Sequence, residues 1–195
     1  MQTEAGKEIF SYWLELTRHH PVPLQRDFEP ARVRRHLPDL FILGKDEADL
    51  LSFRLAGTRL CAMFGHELRS RPFACIWHRS QRAQTDVAVQ AVIARGQPVV
   101  TDIMGVAGDG SHPYELVLLP MRSGDAQPDR ILGAILSRQP RNSAEPESLS
   151  CLYAGTSRAI AEDNARDSSD SKRFSRFMRR LLSVEIVEDG LPGRR

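Results

Sequence analysis

Apolar residues recur at helical spacing through Ile9, Phe10, Trp13, Leu16 and Thr17, which predicts an amphipathic helix over about residues 7–19. His20-Pro21 ends it, because the residue before a proline avoids the helical region. A short basic helical turn, ARVRRHL, follows Pro30. LFILGK and LLSFRLAG then read as two short strands around the turn-like DEAD. Thr58 fits an N-cap for a helix over 59–64, and Gly65 fits its exit. A longer helix is predicted over 79–95, with Ala83, Val87, Ala91 and Ala94 on its inner face and Gly96 and Pro98 beyond its end. Three strands follow, PVVTDIMGVAG, YELVLLPMR and RILGAILSR. GDGSH supplies a hairpin turn between the first two. Pro120 has no N–H to give a ladder, so it belongs at an edge or a bulge.

Two strands before a helical block and three after it, without βα alternation, indicate α+β architecture. The expected closure is a five-stranded antiparallel sheet with helices on one face, an N-terminal helix and a C-terminal extension. The expected divisions are an N-terminal helical segment (1–37), the sheet domain (38–139), a polar linker (140–171) and a basic amphipathic segment (172–195). SLSCLYAGTSRAIAE, within the linker, reads as a weak helix.

Three stretches carry a resemblance. FRLAGTRLCAMFGHEL, YELVLLPMR and RILGAILS resemble the PAS superfamily, and more closely a bacterial family of small single-PAS proteins, over about residues 8–138. That resemblance implies a cytoplasmic regulator with a space between sheet and helices able to hold a small molecule. In this chain Met63, Cys75, Trp77, Met104 and Leu116 would line the space, with Phe64, Val87 and Leu118 beside them. The same residue types build an ordinary core. The resemblance also implies dimerisation through the N-terminal helix, with Ile9 and Trp13 in the seam; covering the chain's own sheet explains those residues equally well.

Arg54 is a cation inside a strand pattern. It either pairs or reaches solvent on the sheet face away from the core, or enters the cavity and grips an anionic group bidentately.

Bulk properties narrow the function classes. The 195 residues suit one domain, or one domain with appendages. A net charge of +2 gives no global field to recruit nucleic acid. No run of about 18 apolar residues is present, so no membrane span is expected. The N-terminus has no signal-peptide pattern, and three cysteines without a C-x-x-C pair suit a reducing cytosol. The sequence names no cofactor and no metal site. His66, His78 and His112 sit in no haem motif, and the Asn-Cys-Arg-Phe-Leu-Gln stretch of flavin photosensors is missing. Cys61 and Cys75 read as small buried hydrophobes.

No catalytic signature is recognised. The expected function is a non-enzymatic sensory or regulatory module acting on a signalling protein through protein–protein contact, with or without a small ligand. A small enzyme using Asp86 or Asp102 as base is an alternative. So is nucleic-acid or membrane-surface binding by the tail, where Phe174 and Phe177 lie on one helical face and Arg176 and Arg180 on the other.

Overall fold

The computed structural model describes residues 1–18, 20–47, 49–124, 127–139 and 148–159, with backbone only over 155–159. Its six-stranded sheet is antiparallel throughout, in the order β2-β1-β5-β4-β3-β6. The strands are β1 (Leu40–Lys45), β2 (Leu51–Ala56), β3 (Val99–Ala107), β4 (Gly110–Met121), β5 (Arg130–Ser137) and β6 (Cys151–Ala159). The helices are α1 (Glu4–Leu16), α2 (Thr58–Phe64) and α3 (Arg82–Arg95). Five of these strands and all three helices follow the sequence reading, because their turns are local chemistry. Gly65 takes the left-handed conformation (φ 68°) that ends α2. The Asp46 backbone N–H donates to the Leu50 carbonyl, closing the β1–β2 turn.

The sheet has a core on each face. On the inner face α2 and α3 cover Phe41, Phe53, Ile103, Leu116 and Ile135. On the outer face α1 lays Ile9, Tyr12 and Trp13 over Val117, Leu119 and Leu132. Ile9 and Trp13, expected in an interaction seam, are therefore 1% and 2% exposed against the chain's own strands. Covering an otherwise bare apolar sheet face is the stronger demand on them. The Trp13 indole N–H donates to the Pro120 carbonyl at 3.0 Å. Pro120 itself lies past the last β3 pairing, Val99–Leu118, so its missing N–H breaks no bond on that side.

One buried acid fixes where α1 begins. Glu115 of β4 is fully buried on the outer face, and its carboxylate accepts from the Gln2 N–H at 2.5 Å and the Thr3 hydroxyl at 2.6 Å. The Thr3 oxygen in turn accepts the Gly6 N–H at 3.0 Å, which makes Thr3 the N-cap. This is why the helix covers 4–16 rather than 7–19.

Three expectations are corrected. The inner face of α3 is Thr85, Ala88, Val89, Val92 and Ile93, whereas Ala83, Val87 and Ala94 face solvent, Val87 at 52%. Both stripes fit helical spacing; the one with the larger aliphatic side chains removes more apolar area from water. The N-cap of α2 is Gly57 rather than Thr58, with no side-chain capping bond. Finally, Cys151–Ala159, inside the expected polar linker and read as a weak helix, is strand β6 on the edge of β3. An open sheet edge offers a row of unpaired donors and acceptors, and Leu149 and Leu152 add two buried side chains. The 172–195 segment, including Phe174, Arg176, Phe177 and Arg180, lies outside the described residues.

Candidate functional site

Arg54 is explained by backbone geometry. Consecutive β1 residues Ile42 and Leu43 face Leu55 and Phe53, so Arg54 is the extra residue of a β-bulge. The bulge breaks the expected alternation. Phe53 is fully buried, whereas Leu55 sits 49% exposed beside Ile42 on the outer face. The Arg54 guanidinium is exposed and donates to the Lys45 carbonyl. It lines no interior space.

The rest of that motif is equally structural. Gly57 packs so closely on the preceding turn that a Cβ there would lie 2.4 Å from the Leu37 carbonyl oxygen and 2.3 Å from that of Pro38. Arg59 reaches from α2 to the Asp39 carboxylate at 2.5 Å. Burial still holds the Asp39 carboxyl above its ordinary value, with Arg59 and His36 pulling it down less. Protonation of Asp39 thus favours the folded state. Its contribution is complete below the unfolded carboxyl value, about 3.9, and is lost as pH rises through the folded value. Arg59→Met raises that folded value further. We expect the variant to lose about 1 kcal/mol at neutral pH, Arg59 being half exposed. The deficit should close as pH falls toward 4, measured as urea midpoints against pH; a deficit independent of pH would show that Asp39 is not its source.

Of the residues expected around an interior space, Trp77 and Leu116 are buried in the inner core, and Met63 and Cys75 pack against it partly buried. Met104 is not there: it lies 41% exposed on β3, alternating with Ile103, which takes the inner side. What fills the centre is a chain of rings, Phe41, Phe53, Phe73 and Trp77, with successive centroids 5.5–5.8 Å apart. The Trp77 indole nitrogen and the Thr85 hydroxyl are buried without a hydrogen-bond partner among the described residues. An open cleft lined by Thr3, Glu4, Ser137 and Arg138 lies instead at the start of α1.

Among the described residues the remaining reactive groups do not assemble a centre. Burial pushes the Cys61, Cys75 and Cys151 thiols above their ordinary values, away from the reactive thiolate. His66 donates from Nδ1 to the Glu67 carbonyl at 3.1 Å, His78 stacks on Tyr153 at 4.6 Å, and His112 contacts Asp109 at 3.0 Å. Among the described residues no group of three metal-type ligands occurs. Asp102 is on the outer sheet face, 3.4 Å from Arg138, which removes it as a base in the interior. Asp86 is half-buried on α3, its carboxyl raised by burial.

The residues that the sequence reading missed line the passage of β6. The strand runs between β3 and the turn ahead of α3, bonded on both sides. Just ahead of the strand, Leu149 N–H donates to the Met63 carbonyl of α2 at 2.7 Å, and on the β3 side Ser150 N–H donates to that of Val106 at 2.7 Å. On the other side His78 N–H donates to the Leu152 carbonyl at 2.9 Å, and the Gln81 side-chain oxygen accepts from Ala154 N–H at 2.8 Å. The two leucines three apart were the available signal, diluted by their polar surroundings.

This arrangement, an antiparallel 2-1-5-4-3 sheet with helices between its second and third strands, can be set against known proteins. A family model described as a PAS domain matches residues 1–136. The chain belongs to the PAS family. Comparison with curated proteins found no match. Among solved structures, this PAS chain is similar to an RNA-binding light-oxygen-voltage receptor at 20% identity and a TM-score of 0.43, over 55% of this chain and 33% of that one. It is similar to the Rhodobacter sphaeroides LOV protein at 14% identity and a TM-score of 0.44, over 55% and 63%. It is also similar to the blue-light photoreceptor Vivid at 14% identity and a TM-score of 0.43, over 70% and 99%. The chain thus spans a third of the first of these proteins and less than two thirds of the second. Among the described residues no helix is long and apolar enough to cross a membrane.

Proposed function

We propose that this PAS protein is a cytoplasmic, non-enzymatic regulator that acts on a signalling partner through protein–protein contact. The PAS fold supports a sensory or regulatory module. The observation that carries the finer reading is the filled interior. Trp77, Phe41, Phe53 and Phe73 occupy the space between sheet and helices, each at most 1% exposed. A packed core of this kind leaves the surface as the place where states are read, and a partner must bind two states differently to shift between them.

A second reading keeps a small ligand. The unpartnered Trp77 N–H and Thr85 hydroxyl favour it, because buried polar atoms normally have partners. Native mass spectrometry and absorbance of the full chain, purified from its own host, separate the two. The bare chain mass and an ordinary protein spectrum are expected. A stoichiometric small molecule retained in the native ion would replace the packed-core version with the ligand-bound one. Pull-down with the full chain and with residues 172–195 removed then shows whether the tail carries the contact.

A further inference from the structure

β6 occupies a slot built for extended backbone. One wall is the β3 edge, which pairs with Cys151–Ala159 from Val106 to Val99. The other wall is the segment ahead of α3, where Trp77 bridges to Leu152 and the buried Gln81 side chain accepts a main-chain N–H. Gln81 bonds the backbone of the occupant and so reads its extended form rather than its side chains. Two glycines shape the slot. A Cβ on Gly105 would lie 2.7 Å from the Leu149 side chain, and one on Gly65 would lie 2.6 Å from the Ser148 hydroxyl. Side-chain recognition comes from Leu149 and Leu152, buried in the inner core, and from Tyr153, stacked on His78.

The present occupant lies outside the family-matched residues 1–136 and is joined to β5 through residues 140–147. It is an edge strand whose ladder to β3 shifts register between Thr101 and Ile103, and edge strands belong to the part of a structure that opens below the global unfolding free energy. An emptied slot would strand the Gln81 oxygen, the His78 N–H and the whole β3 edge, which favours exchange of one strand for another over vacancy. We infer that the slot between β3 and Trp77–Gln81 accepts an extended segment of a partner protein, with two leucines three residues apart followed by an aromatic, and that β6 is its intramolecular competitor. This rests on the reading of the chain as a contact-driven regulator and names the contact.

The probe is a fluorescein-labelled peptide, ESLSSLYAGTSRA, which copies residues 147–159 with Cys151→Ser. It is titrated against the full-length chain and a full-length Leu152→Ser variant, with anisotropy as the readout. A tethered strand competes at an effective concentration of ~mM, so weak binding to the wild type is expected. Binding should be at least tenfold tighter to Leu152→Ser, at least tenfold weaker to Gly105→Val, and lost when both peptide leucines are serine. A peptide that ignores its leucines, or fails to bind a folded Leu152→Ser chain, overturns the proposal. If near-UV circular dichroism shows that variant unfolded, hydrogen exchange of the wild type decides. β6 amides at least tenfold less protected than those of β4 and β5 support exchange, and equal protection overturns it. A wild-type dimer that the peptide dissociates would put a second copy in the slot and overturn the partner. Rejection of the peptide with partner capture intact leaves the regulatory reading standing, so the two failures are distinguishable.

Discussion

Gly57→Ala is expected to destabilise the protein by about 3 kcal/mol, because a methyl there meets backbone that has nowhere to go. The φ of Gly57 is −68°, which alanine adopts freely, so the effect is steric and not conformational. The built Cβ falls 2.3–2.5 Å from the Leu37 and Pro38 carbonyl groups. Relief would require moving the turn ahead of β1, which also positions Asp39 for Arg59 and supplies the Leu40 carbonyl that accepts the Gly57 N–H at 2.8 Å. For a chain of this length the loss corresponds to a melting point lower by about 6–12 °C. Thr58→Ala should change stability by less than about 0.5 kcal/mol, since Thr58 is exposed and makes no capping bond. Thermal melts of the two variants separate the explanations. A larger effect at Thr58 than at Gly57 would return the motif to helix capping.

The contrast between Gly57 and Thr58 shows what a sequence states openly. Gly65, the Asp109-Gly110 hairpin and the 46–50 turn were legible because each depends on a few consecutive residues. Where two local patterns compete, the winner depends on distant neighbours. Ala83 and Val87 lost the inner face of α3 to Val89 and Val92 because the aromatic core and β4 wait on the other side. Arg54 broke the period-2 reading for a related reason. A bulge adds one residue to one strand of a pair, and a single strand read alone contains no sign of it. Met104 was misplaced by assigning a face from composition, when alternation from Ile103 would have put it outside.

The candidate site was legible in part, through Trp77 and Leu116, whose apolar bulk belongs inside in either reading. The slot for β6 was not. Its wall residues Gly105, Gln81 and Gly65 have no side-chain chemistry that advertises a partner, and they are brought together only by tertiary structure. The occupant was obscured by averaging, because Leu149 and Leu152 are set among serines and carboxylates. Such a stretch reads as linker by composition and as strand only beside an edge that it can complete.

Glu115→Ala should release the start of α1 from the sheet, with a loss of about 3 kcal/mol. Glu115 belongs to the Tyr-Glu-Leu strand, where alternation places it with Val117 and Leu119 on an apolar face. A carboxylate there is tolerable only with donors around it, and the chain supplies them from 112 and 113 residues away: the Gln2 and Thr3 N–H groups and the Thr3 hydroxyl. Truncation leaves those donors facing an apolar strand without a partner. Glu115→Gln keeps the shape but places an amide donor among donors, so about half the loss is expected. The readout that distinguishes this from a general loss of stability is local. Amides at the start of α1 should exchange faster in Glu115→Ala while those of α3 and β5 change only with global stability, and Thr3→Ala should repeat the pattern more weakly. Uniform acceleration across both faces of the sheet would show that Glu115 supports the fold as a whole and does not anchor the helix.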